Sequence, residues 1–350
     1  MTESIRVAQW ATGSVGQAAI GGIVAHPDLT LVACHVITEA KIGLDAGVIA
    51  DIGETGVVAT GTFDEFLAAK PDCVVYTPLM GDQADLLRFL EAGINVVTPV
   101  GWWYPAKEER ALLQRAGERG GASIHGTGIH PGGITERFPL MISAMSSNIT
   151  HVRAEEFSDI RSYNAPDVVE HIMKFGAPPE EALESIMTDV LGNGFGQSVH
   201  MVADELGFSI DDELAVSHEV AVATAPIDSP MGVIQPGLVA AQRFRWQACV
   251  GGTPVVTAAV NWLMGEEHLD PGWNFGNQGQ RFEVEVTGDV DVELSFHKLH
   301  PSTVALGLER NPGIIATANH CVNAVPYVVA AEPGVKTYLD LPLIAGRASA

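Results

Sequence analysis

An apolar run that starts at Ile5 and breaks at Ala11-Thr12-Gly13-Ser14-Val15-Gly16 constrains this chain more than any other feature. Ile5 to Trp10 reads as a buried strand, and Ala18-Ala19-Ile20-Gly21-Gly22-Ile23-Val24 as the helix that follows it. Between them the spacing Ala-x-Gly-x-x-Gly is the dinucleotide fingerprint with alanine in place of its first glycine. Gly13 lets the backbone approach a pyrophosphate, and Gly16 lets helix and strand pack closely. The helix N-terminus offers N–H groups and a positive dipole end to the anion. Thr12, Gly13, Ser14, Val15 and Gly16 are therefore the first candidate cofactor residues.

The chain has 350 residues, long for one domain and sufficient for two. Hydrophobic residues make up 47% and charged residues 18%, a globular balance. The net charge of −24 argues against nucleic-acid or anionic-membrane partners. Cys34, Cys73, Cys249 and Cys321 share no C-x-x-C spacing and read as reduced core residues. No pair among the twelve histidines has the helical i, i+4 spacing of a zinc motif, so no metal site is expected. The N-terminal strand leaves no room for a signal peptide, and no apolar run reaches membrane-spanning length. A cytoplasmic protein without a membrane partner is expected.

Strands at Leu29–Val36, Val57–Ala59, Cys73–Tyr76, Ile94–Val97 and Ser123–Gly126 alternate with helices at 64–69, 83–92 and 106–119. That alternation predicts an α/β fold with a Rossmann doubly wound parallel sheet over residues 1–135. Ligands on such sheets gather at the carboxyl ends of the strands, so Thr77-Pro78, Thr98-Pro99 and Gly126-Thr127-Gly128 should line one crevice with the fingerprint. Residues 136–311 read differently. Helices are expected at Glu181–Val190 and Gln197–Leu206, the latter ended by Gly207, after a strand at His151–Asp159. Long strands follow at Leu238–Ala248, Val255–Trp262 and Phe282–Val286. These predict an α+β substrate and dimerisation domain with an open, mainly antiparallel sheet, whose apolar face a second subunit would cover. An apolar helix at Ile314–Ala331 should return to the first domain, which residues 312–350 complete.

The chain resembles the dihydrodipicolinate reductase-like oxidoreductases, in the branch of 2,4-diaminopentanoate dehydrogenase and the native NAD(P)H-dependent amine dehydrogenases. Beyond the fingerprint, the resemblance rests on Lys41-Ile42-Gly43-Leu44-Asp45-Ala46-Gly47, on Gly126-Thr127-Gly128-Ile129-His130-Pro131-Gly132 and on Met201 to Gly207. Asn323-Ala324-Val325-Pro326, Pro333-Gly334 and Asp340-Leu341-Pro342 complete it. It implies a homodimer that passes hydride between NAD(P)H and a C=N or C=O carbon of a small molecule held between the domains. The family's active-site carboxylate is missing, since its expected positions fall on Gly101 and Trp102. Glu108 and Glu109 lie further on, in a helical first turn where solvation by water and dipole stabilisation are expected.

The strand ending at His35-Val36 carries no aspartate for a ribose diol. His35, Thr38 and Lys41 can meet a 2′-phosphate, so NADP is favoured, with NAD the alternative that Glu39 supports. Thr77, Pro78, Thr98 and, by family analogy, Asn323 complete the cofactor set; apart from that role, Asn323 would cap a helix break before Pro326. His130, Tyr104 and Tyr163 are the candidate proton donors. Trp102 and Trp103 are read as an apolar wall against a hydrophobic substrate, or else as a structural pair, and His200 as a pocket residue. A small, mainly apolar ketone, imine or amine is the expected substrate. The alternatives are alcohol–ketone or C=C reduction on the same scaffold, or a nucleotide-binding homologue without turnover.

Overall fold

Residues 4–348 are described by the computed structural model. They divide into one unit that runs through Gly132 and resumes at Ile314, and another spanning Gly133–Gly313.

The first unit begins with β1 (Ile5–Trp10), α1 (Ser14–Ala25), β2 (Leu29–His35), α2 (Ala46–Ile49) and β3 (Ala59–Thr60). It continues with α3 (Phe63–Ala68), β4 (Cys73–Tyr76), α4 (Gln83–Glu91), β5 (Asn95–Thr98), α5 (Lys107–Gly120) and β6 (Ser123–Gly126). β4, β5 and β6 are buried at every position, as strands covered on both faces must be. On one face Val7, Cys34, Val75 and Val97 pack with Ile20 and Ile23 of α1. On the other, Trp10, Val74, Tyr76 and Val96 meet Phe66, Leu86, Phe89 and Leu113 from α3, α4 and α5.

The second unit contains α6 (Phe138–Ser143), β7 (Ser147–Asp159), α7 (Pro179–Leu183), α8 (Met187–Leu206), β8 (Ala215–Ala223), β9 (Ile227–Ser229) and β10 (Gly232–Ile234). β11 (Val239–Val250), β12 (Thr253–Leu263), β13 (Leu269–Asp270), β14 (Arg281–Asp289), β15 (Val292–Phe296) and α9 (Val304–Glu309) follow. The chain then returns through α10 (Pro312–Val329) and β16 (Gly334–Lys336). β16 pairs in parallel with β6, giving a seven-stranded parallel sheet ordered β16-β6-β5-β4-β1-β2-β3. The second sheet is ordered β13-β8-β11-β12-β7-β14-β15, and only β12 and β7 pair in parallel. The fold is thus a Rossmann-type parallel sheet plus a mainly antiparallel one.

Several elements differ from the sequence expectation. The third strand starts at Ala59, not Val57, because Asp45 accepts hydrogen bonds from Gly47, Thr55 and Gly56 and draws the preceding residues into a loop. Glu181–Val190 is not one helix. α7 stops at Leu183, and α8 begins at Met187 and runs unbroken through Gly192, Gly194 and Gly196 to Leu206. Gly192 and Gly196 sit at close-packed positions: a Cβ at Gly192 would lie 2.8 Å from Trp246 Nε1 and one at Gly196 3.4 Å from Leu214, while Phe195 stacks on Trp246 at 4.8 Å. β8 was hidden by its polar Ser217, His218 and Glu219. The helix break expected before Pro326 does not occur, because Cys321, Val322, Val325 and Val328 stay packed in the core with α1 on both sides of the proline.

The sheet face expected to be apolar is charged. Phe244, Trp246, Ala258 and Val260 face the core shared with α8. The alternate positions carry Arg153, Glu155, Glu283, Glu285 and Arg245, with Arg153 bonded to Glu155, Glu283 and Glu285. Long charged chains bridge neighbouring strands there and close the face with their own stems.

Candidate functional site

Strand order reverses between β1 and β4, and the carboxyl ends of strands at such a switch point are where open α/β sheets bind their ligands. Gln9, fully buried in β1, pins that point: its Nε2 donates to Ala11 O at 2.8 Å and to Thr77 Oγ1 at 2.7 Å. A polar residue set between Ala8 and Trp10 in the buried half of β1 was the available signal for Gln9, and the sequence reading passed over it. Ala11 has φ +68°, the left-handed conformation that the fingerprint's first glycine normally supplies. A Cβ at Gly16 would lie 2.2 Å from Ala11 O, so only glycine fits there. Gly13 is the opposite case. It is the N-cap of α1, makes no side-chain cap, and a Cβ on it would meet nothing within 4 Å. Uncapped helix N–H groups beside open space form a cradle that fits a pyrophosphate. Ser14 is exposed and Val15 half-buried at the start of α1.

Lys41 reaches this turn across the loop that follows β2. Its Nζ donates to Thr12 O at 2.9 Å and to Thr12 Oγ1 at 3.2 Å. Thr38 is exposed nearby in sequence, before the short helical turn at 39–41. His35 is not available to a phosphate: it is 8% exposed and stacks flat on Trp10 at 3.6 Å. Burial holds its imidazole below the usual pKa and therefore neutral, so the histidine belongs to the aromatic core. Three apolar side chains beside the carboxyl ends of β2 and β4 face solvent instead: Ile37, Leu79 and Met80, each at least 60% exposed. Periodicity does not mark them, since they follow the strands rather than belong to them.

At the ends of β5 and β6, Thr98 is fully buried and its carbonyl accepts Thr127 N–H at 2.8 Å. Pro78 is buried after β4. Trp102 and Trp103 are 8% and 6% exposed. Trp102 lies over Gly81 and donates from Nε1 to Glu109 Oε1 at 2.7 Å; Trp103 Nε1 donates to Thr127 O at 2.8 Å. Both indoles are anchored in the first unit, which favours the structural pair over the substrate wall. Glu109 also accepts from Gln83 Nε2 at 3.2 Å, so it is a structural acceptor rather than the solvated residue expected from its helical position. Tyr104 is half-buried just beyond the tryptophans. His130 stands in a cis His130–Pro131 turn closed by the bridge between Ile129 and Gly132. Asn323 is half-buried within α10, a helical interior position rather than a cap.

The second unit holds the remaining candidates. Tyr163 follows a helical turn at Ile160–Ser162, and burial pushes its phenol pKa up. His200 is half-buried on α8. The sequence reading missed two acids here. Glu136 is fully buried, accepts from Ser198 Oγ at 2.5 Å, and burial pushes its carboxyl up to about 8. Glu156 accepts from Ser158 Oγ at 2.6 Å and Trp262 Nε1 at 3.0 Å, and burial pushes it up to about 7. Neither lies in a motif; burial alone distinguishes them. Among the described residues, no three His, Cys, Asp or Glu side chains are grouped to hold a metal, and no helix is long and apolar enough to cross a membrane.

Residues 134–349 match the 2,4-diaminopentanoate dehydrogenase C-terminal domain. An amine dehydrogenase of Streptomyces virginiae is 30% identical over 95% of both chains. The 2,4-diaminopentanoate dehydrogenase of Acetoanaerobium sticklandii is 24% identical over 74% of this chain and 70% of its own. Among solved structures, the amine dehydrogenase of Mycobacterium smegmatis shares the fold, with a TM-score of 0.77 over 99% of this chain and 98% of that one at 19% identity. The motifs, the sheet orders and these matches agree: the chain belongs to the amine dehydrogenase and 2,4-diaminopentanoate dehydrogenase family of oxidoreductases.

Proposed function

We propose that this enzyme uses NAD(P)H to transfer hydride to or from the C=N or C=O carbon of a small, mainly apolar ketone, imine or amine. The observation that carries this reading is the uncapped N-terminus of α1 behind Gly13, open to an anion at the sheet's switch point. Exposed Ile37, Leu79 and Met80 supply apolar surface for an adenine at the same edge. Lys41 at the glycine turn, with no carboxylate ending β2, supports NADP over NAD. Thr12, Ser14, Val15, Gly16, Thr38, Thr77, Pro78, Thr98 and Asn323 complete the proposed cofactor residues, and His200 the substrate residues. A second copy of the chain, making a homodimer, is proposed as the partner of the charged face of the second sheet, where acids and arginines alternate and are self-complementary.

Alcohol–ketone chemistry is the second reading. It rests on Gly101, which places no side chain where the family resemblance calls for a carboxylate.

Fluorescence titration with NADPH and NADH tests the cofactor site. Gly13→Asp should fold normally, since aspartate is itself a good N-cap, yet its carboxylate would stand where the pyrophosphate binds. Tight binding of NADPH that this substitution abolishes is the expected result. Lys41→Ala should weaken NADPH about 10-fold or more, the worth of a charge-assisted contact, and leave NADH unchanged. Failure of the wild-type chain to bind either nucleotide would overturn the reading. Turnover of a ketone panel with and without ammonia then separates the two chemistries.

A further inference from the structure

Three polar side chains scattered between positions 127 and 338 meet in the first unit. Thr127 Oγ1 stands 2.5 Å from Tyr338 Oη and 3.5 Å from His320 Nδ1. Tyr338 Oη lies 3.3 Å from the same imidazole nitrogen. Thr127 is fully buried, whereas Tyr338 and His320 are half-buried. The cluster is held from several sides. Trp103 bonds the Thr127 carbonyl, His125 packs edge-on against the Tyr338 ring at 5.0 Å, and β16 carries the chain to Tyr338 along β6. Thr127 directly follows β6, so the group lies at the carboxyl edge of the parallel sheet, where ligands of such sheets bind.

A phenol that only tethered the C-terminal segment would need a single partner. This one is shared between a buried hydroxyl and an imidazole, the arrangement that lets a phenol release a proton and recover it. We propose that Tyr338, rather than His130 or Tyr104, is the proton donor of the reaction, with His320 as its proton reservoir and Thr127 as the group that orients it. The proposal rests on the oxidoreductase reading above. As hydride reaches the substrate carbon, the C=N or C=O π bond opens and its electron pair stays on nitrogen or oxygen. That atom takes the Tyr338 proton, and the O–H bond of the phenol breaks. The Thr127 hydroxyl donates to the resulting phenolate, His320 returns a proton to it, and the imidazole is reprotonated by solvent. Oxidation of an amine or alcohol runs the same proton path backwards.

The test compares wild type, Tyr338→Phe, His320→Gln and His130→Asn, each with NADPH and with cyclohexanone plus ammonium as the probe. Tyr338→Phe should keep NADPH affinity within about 2-fold and lose about 100-fold or more in kcat, the usual worth of a positioned general acid. His320→Gln should abolish one limb of the pH–rate profile. It should also raise the pH at which the Tyr338 phenol ionises, read as the ultraviolet difference from Tyr338→Phe without any turnover. His130→Asn should retain that limb. Full turnover with an unaltered profile in Tyr338→Phe overturns the relay alone. If Tyr338→Phe fails to fold, an unchanged profile and phenol titration in His320→Gln do the same. Absence of NADPH binding in the wild type overturns the oxidoreductase reading instead, and binding without turnover of any carbonyl overturns the relay with it.

Discussion

Ala11 shows how one residue can depart from a motif and keep its geometry. A left-handed alanine costs about 1–2 kcal/mol. Glycine there would cost about 0.5–1 kcal/mol in chain entropy and about 0.8 kcal/mol of lost methyl burial, so the two nearly balance. Glu136 is a less balanced case. Its carboxyl is raised from 4.5 to about 8 by burial, so the unfolded chain gives up this proton at lower pH than the folded one. The stability it contributes is complete below about pH 4.5 and is lost as pH rises towards about 8, by up to about 1.4 kcal/mol per pH unit. Glu136→Gln keeps an acceptor for Ser198 and should remove that decline, which urea midpoints at about pH 5 and pH 8 would detect. The glycine turn was legible from sequence because its requirements are local: small residues at fixed offsets. Glu136 and the meeting of Thr127 with His320 and Tyr338 were not, since burial and long-range proximity leave no periodic trace.

Elements were readable where their burial is uniform. β4, β5 and β6 are buried throughout because helices cover both faces, and their positions differ from the sequence reading by a residue at most. Elements failed where packing overrode local propensity. α8 absorbs its glycines because its buried face packs closely, with Trp246 against Gly192 and Leu214 against Gly196, and α10 runs through Pro326 because its flanking valines are buried. An interior proline costs a helix about 3 kcal/mol, set against about 1 kcal/mol gained by restricting the unfolded chain. Pro326→Ala should therefore stabilise the protein by about 1–2 kcal/mol, seen as a higher denaturant midpoint with unchanged NADPH affinity. A lower midpoint would mean that the proline ring itself fills part of the core.

At the scale of the molecule, a net charge of −24 leaves arginines few and heavily used. Arg153 alone serves Glu155, Glu283 and Glu285. Burial raises the Glu283 pKa, but hydrogen bonds from Arg281 and Arg153 outweigh it and hold the carboxylate below its ordinary value. Its contribution to stability is thus present above the unfolded pKa and lost as pH falls through the folded one. Arg153→Met leaves Glu283 with Arg281 and Glu155 with Arg245 and Asn261, so it should cost about 1–3 kcal/mol at neutral pH, the worth of lost charge-assisted hydrogen bonds, and less in acid, where the carboxylates protonate. Thermal unfolding at two pH values checks both signs.

The seventh strand of the first sheet has a consequence for how the chain is made. α10 and β16 come last in sequence, yet they pack on α1 and pair with β6 in the unit that begins the chain. The segment Gly133–Gly313 is continuous, so it clears the ribosome complete and can fold while synthesis is under way. The glycine turn at Thr12–Gly16 is translated before the second unit, but the sheet behind it is complete only once β16 has been made. The first sheet is therefore finished after the second unit, and a chain stalled short of β16 should carry a folded second unit beside an unfinished first one.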